Sequence, residues 1–189
     1  MQRIMIVSDT HKRHGNLMEA LYNEGKIDML IHLGDIEGEE DIITDMAGCK
    51  VLMVPGNNDY YARYDKEIET KIGKYKVLLT HGHYYYVSLD LQVIKQECKS
   101  RGFDIVMFGH THRPLIDIGE DVILINPGSI SYPRQADHRS AKELTRKATL
   151  YCETILKNSE EVLGRSMADI KNTRMNLRSA ARPKNNMPK

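Results

Sequence analysis

The chain has 189 residues, with 27 Lys+Arg against 26 Asp+Glu and 41% of positions hydrophobic. That length suits one domain of ordinary size, able to bury about two-thirds of the surface that its unfolded chain exposes. A formal net charge of +1 gives no global pull towards nucleic acid or an anionic membrane, and no apolar run approaches the roughly 18 residues that a spanning helix needs.

The first apolar run, Ile4–Val7, starts so near Met1 that no signal peptide is expected before it. Asn16–Glu24 has helical length and spacing. Met29–Leu33, Val51–Val54 and Val77–Thr80 follow as strand-like runs, each bounded by Gly, Asp, Asn or Pro. Leu89–Lys99 reads as a second helix, with Leu91, Ile94 and Cys98 on one face. Ile105–Phe108 and Val122–Ile125 complete the apolar runs, while Ala148–Leu156 fits either a closing strand or the start of a terminal helix. This alternation predicts an α/β domain over residues 1–156, with largely parallel strands in its first half. Residues 157–189 read as a helical extension with a frayed basic end, carrying eight Lys/Arg against three acids. A solvated terminal helix explains that charge better than a nucleic-acid tail.

The chemistry lies just past the strands. Ser8-Asp9-Thr10-His11, Gly34-Asp35, Pro55-Gly56-Asn57-Asn58-Asp59, Thr80-His81-Gly82-His83 and Gly109-His110-Thr111-His112 each follow a carboxyl end, where an open α/β sheet forms its ligand crevice. Asp9 with His11, and His110 with His112, stand two apart, a spacing that aims both side chains one way from an extended segment. Carboxylates and imidazoles without thiolates suit Mn, Fe, Zn or Ni rather than a structural zinc site. Asp35 is the candidate bridge between two cations, because a carboxylate has two oxygens. Asn57 adds an amide oxygen and His81 another imidazole, so seven ligands with one shared fill two sites. Taken singly, each motif is as easily a turn or a satisfied core histidine; five in order at five strand ends are not.

The ordered set Asp9-x-His11, Gly34-Asp35, Gly56-Asn57-x-Asp59, His81-Gly82 and Gly109-His110-x-His112 resembles the calcineurin-like metallophosphoesterase superfamily. Chain length, Asn126-Pro127-Gly128-Ser129 and Ser131-Tyr-Pro-Arg134 look like its small prokaryotic phosphodiesterase branch, the YfcE type. The resemblance covers roughly residues 1–135. It implies a four-layer αββα sandwich with two mixed central sheets and the metals at their carboxyl edge. It assigns Asp9, His11, Asp35 and His112 to one divalent cation, and Asp35, Asn57, His81 and His110 to the other. Manganese is the first expectation for both, with iron, zinc or nickel as alternatives. Asn58 departs from the superfamily, most of which has His there to meet the leaving group or a phosphate oxygen.

The implied reaction is hydrolysis of a phosphodiester by in-line attack of a metal-bridging hydroxide, with no covalent intermediate. Two divalent cations, two carboxylates and a hydroxide leave about +1, which balances a diester monoanion. Asp59 is placed either on a ligand imidazole or in an Asx-turn, and His83 against a phosphate oxygen. Tyr84-Tyr85-Tyr86 reads as packing or a subunit contact before a platform for a nucleoside, and a homodimer is the candidate assembly. The expected partner is a small phosphodiester, with nucleic acid less favoured. Cys49, Cys98 and Cys152 form no CxxC or disulfide framework, so buried thiols in the cytoplasm are expected. The rival reading is a non-catalytic protein-binding scaffold on the same fold, as in the retromer subunit that resembles these enzymes but has lost ligands.

Overall fold

The structure is a computed structural model and describes residues 3–119 and 121–134. The expected extension over 157–189, Cys152 and the stretch Ala148–Leu156 lie outside those residues.

β1 (Ile4–Val7), β2 (Met29–His32) and β3 (Lys50–Met53) form one sheet in the order β1-β2-β3, with both pairings parallel. Parallel pairing demands long crossovers. α1 (Gly15–Glu24) makes the first and α2 (Glu40–Ala47) the second. β4 (Glu67–Ile72), β5 (Tyr75–Thr80), β6 (Ile105–Met107), β7 (Leu115–Ile118) and β8 (Ile123–Asn126) form the other sheet, in the order β4-β5-β6-β8-β7. Its centre, β5-β6-β8, is parallel; the outer strands β4 and β7 are antiparallel to their neighbours. α3 (Gln92–Ser100) is the crossover from β5 to β6. Only the second sheet is therefore mixed among the described strands.

Residue alternation sorts the strands into layers. Met5, Val7 and Leu30 pack with Leu17 of α1 and Ile43 of α2, and Leu78, Val106 and Leu124 pack with Ile94 and Cys98 of α3. The opposite phase is just as buried: Ile4, Ile6 and Ile31 in the first sheet, and Val77, Leu79, Ile105, Met107 and Ile125 in the second. Burial on both faces of both sheets is the signature of sheet stacked on sheet with helices outside. That is the expected αββα sandwich. Each fully buried Leu or Ile in it contributes about 1.5–3 kcal/mol.

Three elements escape the apolar-run reading. β4 is Glu-Ile-Glu-Thr-Lys-Ile, polar along one face because it is an edge strand. β7 follows Pro114 at the opposite edge and has no fully buried residue. α2 buries only Ile43, so a short, acidic, β-branched sequence carries little helical signal.

Candidate metal centre

The loops after β1, β2, β3, β5 and β6 converge at one rim. Asp9, His11, Asp35 and His112 each offer a ligand atom there, all within 4.8 Å of one another. His11 Nε2 and His112 Nε2 stand 3.3 Å apart. A second group adjoins the first: His81 Nε2 lies 3.1 Å from Asn57 Oδ1 and 3.6 Å from Asp35 Oδ2, and the His81 and His110 ring centres are 5.2 Å apart. Asp9, His11, Asp35 and Asn57 come from the first sheet, and His81, His110 and His112 from the second.

The backbone does not present them from extended segments, as the two-residue spacing predicts. Asp9, His11, Asp35, His110 and His112 all have positive φ, between 45° and 68°. The chain turns sharply after each strand and aims the side chains by a left-handed step, a costly conformation for a residue with Cβ. Asp and His visit it more readily than β-branched residues do.

Outer contacts fix the imidazoles. His11 Nδ1 meets Glu37 Oε1 at 2.7 Å, His81 Nδ1 the Leu33 carbonyl at 2.6 Å, and His112 Nδ1 the Tyr132 carbonyl at 2.9 Å. With Nδ1 carrying the proton in each, Nε2 is left free to ligate. Glu37 has no spacing signal beyond following Asp35 by two, and the sequence reading misses it. Asn126 and Ser129 brace the same rim: Asn126 Nδ2 donates to the Gly109 carbonyl at 2.8 Å and Ser129 Oγ to the Asp9 carbonyl at 2.8 Å.

Asp59 reaches no imidazole. Its Oδ1 accepts the Ile36 and Glu37 amides at 2.9 and 2.5 Å, and its Oδ2 those of Asp35 and Gly56 at 2.8 and 2.7 Å. Three of these charge-assisted bonds tie the loop after β2 to the loop after β3, and the fourth, from Gly56, closes the latter on itself, so Asp59 assembles the loops and sets no imidazole tautomer. Asn58 donates its backbone N–H to Asp35 Oδ1 at 2.9 Å and its Nδ2 to Asp35 Oδ2 at 2.7 Å, which pins the carboxylate in the centre of the group. His83 sits 5.4 Å from the His81 ring and 6.1 Å from that of His110. The tyrosine run divides: Tyr85 packs on the second core and donates to Glu67, while Tyr84 and Tyr86 are exposed.

Electrostatics agree with a cation pocket. Burial pushes the Asp9 carboxyl up, but contact with His112 and the charge of His81 outweigh it and hold Asp9 below the ordinary carboxylate value. Burial lowers His112, yet Asp9 beside it lifts it above the usual imidazole value. His110 is lowered by burial and by His81, and His83 is lowered to about 4 by burial and then by His81 and His110. Asp9 Oδ1 is buried with no hydrogen-bond donor, since His112 Nε2, 3.2 Å away, is unprotonated when Nδ1 serves the Tyr132 carbonyl. An orphaned carboxylate oxygen between imidazole nitrogens is what a cation would satisfy. The donor set fits a divalent metal of the Mn, Fe, Zn or Ni type.

A profile of the calcineurin-like phosphoesterase superfamily domain matches residues 2–147. A probable metallophosphoesterase of Methanocaldococcus jannaschii is 38% identical over 136 residues, 69% of this chain and 69% of that protein. A phosphodiesterase of the same organism is 29% identical over 143 residues, 67% of this chain and 82% of that one. Among solved structures, a predicted phosphoesterase from Streptococcus pneumoniae has a TM-score of 0.62 and 30% identity, covering 72% of this chain and 77% of its own. A Vps29 single mutant from Entamoeba histolytica has a TM-score of 0.58 and 27% identity, covering 67% and 73%. With that profile running through every loop of the rim, the chain belongs to the calcineurin-like phosphoesterase superfamily, a family of metal-dependent phosphoesterases.

Proposed function

We propose that the chain is a dinuclear metal-dependent phosphodiesterase. Asp9, His11, Asp35 and His112 would hold one divalent cation, and Asp35, Asn57, His81 and His110 the other. One observation carries this reading: Asp35 Oδ2 is 3.7 Å from His11 Nε2 and 3.6 Å from His81 Nε2, so a single carboxylate faces both donor groups. The mixed donor set, three side-chain oxygens and four imidazole nitrogens, admits manganese, iron, zinc or nickel. Bound cations would supply Lewis acidity towards a phosphoryl oxygen and lower the pKa of coordinated water.

The chain's own residues supply position and polarity. Asn58 locks the rotamer of Asp35, and Glu37 and the Leu33 and Tyr132 carbonyls keep three imidazoles in the ligating tautomer. His83, neutral near pH 7, can donate one N–H to an oxygen of a substrate held beside His81 and His110. Ser8 and Ser129 both donate their hydroxyls to backbone carbonyls and are not set up as nucleophiles. Diester specificity rests on the charge balance of the pocket and on likeness to a protein named as a phosphodiesterase. The free thiols, Cys98 buried and Cys49 half-buried, favour a reducing compartment such as the cytoplasm.

Metal analysis together with hydrolysis of bis(p-nitrophenyl) phosphate tests the reading. Wild type should carry two divalent ions per chain, and Asp35→Asn should lose both along with more than about a hundredfold of activity. Asn58→His should lose less. Equal losses in the two variants would remove Asp35 from its shared position. The likeness to Vps29 favours a second reading, a binding scaffold; two bound ions with no turnover above buffer would select it.

A further inference from the structure

Two part-exposed tyrosines stand at the rim, Tyr132 beside His11 and Tyr84 beside His83. On the side of His11 and His112, the Tyr132 ring lies 5.6 Å from that of His11, edge-on, and the Arg13 guanidinium sits 4.6 Å from the Tyr132 ring centre. On the side of His81 and His110, the Tyr84 ring lies 4.0 Å from His83, and Lys66 Nζ sits 4.5 Å from the Tyr84 ring centre. Neither ring is packed away: Tyr84 is 54% exposed and Tyr132 is 40% exposed. A chain with no Trp and two Phe thus places a part-exposed tyrosine and a cation beside each donor group.

We infer that this pocket takes phosphodiesters bearing a planar aromatic group on each arm, a dinucleotide being the natural form, because Arg13–Tyr132 and Lys66–Tyr84 flank its two donor groups. The inference rests on the phosphodiesterase reading and names its substrate class. A diester has two arms leaving phosphorus in different directions, so a phosphorus centred near Asp35 sends one arm towards each tyrosine. Bases stack on tyrosine whatever their identity, because every base presents a π-face. The flanking Arg13 and Lys66 make both ends positive, which favours the anion between them. Selection is therefore for two aromatic arms, not for a base sequence.

The test holds the leaving group constant. Thymidine 5′-(p-nitrophenyl phosphate) and ethyl p-nitrophenyl phosphate both release p-nitrophenolate, and rates are taken relative to their uncatalysed hydrolysis. The nucleoside ester should show kcat/KM about tenfold higher, equivalent to ~1.4 kcal/mol, and mainly through KM. Tyr84→Ala and Tyr132→Ala should each lower kcat/KM for a dinucleotide, thymidylyl-thymidine, about tenfold more than for the ethyl ester. Tyr84→Phe and Tyr132→Phe, which keep the ring, should restore it. Saturation-transfer NMR on a slowly hydrolysed phosphorothioate dinucleotide should mark thymine protons of both residues.

Equal kcat/KM for the two p-nitrophenyl esters, alanine variants that lose both substrates alike, or marking of one thymine alone would overturn the inference while leaving a phosphodiesterase. Failure to hydrolyse any diester would overturn the phosphodiesterase reading itself. An oligothymidylate that competes more tightly than the dinucleotide would locate the same two-armed chemistry in nucleic-acid ends; weaker competition would locate it in free dinucleotides.

Discussion

At Asp9, His11, Asp35, His110 and His112 the side chain that points into the pocket belongs to a backbone with φ between 45° and 68°. Holding an L-residue there costs on the order of 1 kcal/mol or more, and the loops sustain it five times over. Spacing picks out residues that the fold brings to one rim, since DxH and HxH at strand ends are sequence patterns. It could not reveal the turn that aims them, because φ leaves no mark on residue identity when Asp and His tolerate both hands. Glu37 shows the same limit: a carboxylate two residues past Asp35 carries no signal of its own, and only the loop brings it 2.7 Å from His11 Nδ1. Glu37→Gln keeps the shape and removes the charge that orients His11. Metal affinity should fall about 10–100-fold, measured by competition against a chelator, with the circular-dichroism spectrum unchanged.

Elements differ in how openly they announce themselves. Ile4–Val7 is β1 as read, and the expected runs at Met29, Val51, Val77, Ile105 and Val122 all contain strands displaced by no more than two residues at either end. Central strands buried on both faces must be apolar, so they are legible; the edge strands β4 and β7 are not, because solvent allows Glu, Lys and Asp there. Asp59 was open between two roles because an Asp after Asn-Asn suits a turn and an imidazole equally. Its four amide partners come from two loops far apart in sequence. Close loop packing also explains Gly56, where an added Cβ would lie 2.1 Å from Asp35 Oδ1 and 2.5 Å from the Asp35 amide nitrogen. Gly56→Ala should displace that carboxylate, destabilise the fold by about 1–3 kcal/mol in urea unfolding, and reduce metal uptake.

The molecule as a whole also carries a buried titration at a residue outside the proposed ligand set. His32, in β2, is fully buried; its Nδ1 accepts the Gly34 amide at 3.2 Å and its Nε2 meets Thr10 Oγ1 at 3.2 Å. Burial, outweighing the charges of Asp9 and Asp59, depresses it from 6.5 to about 4. A histidine lowered in the fold is neutral there while the unfolded chain takes up protons, so its contribution is complete above pH 6.5 and drains away as pH falls towards 4. The difference amounts to about 3 kcal/mol. Chelator-treated protein should lose urea resistance across that window, and His32→Gln should make the profile shallower, leaving the part that His83 and His110 contribute.

Four of the proposed ligand positions hang from the three-stranded sheet and three from the five-stranded one. A cation seated among them is thus a clasp across the seam where the two halves of the sandwich meet. On the proposed reading, dropping one donor would loosen that seam as well as weaken metal binding. A lineage that abandoned hydrolysis on this architecture would have to refill the seam with apolar packing before it could let the imidazoles drift.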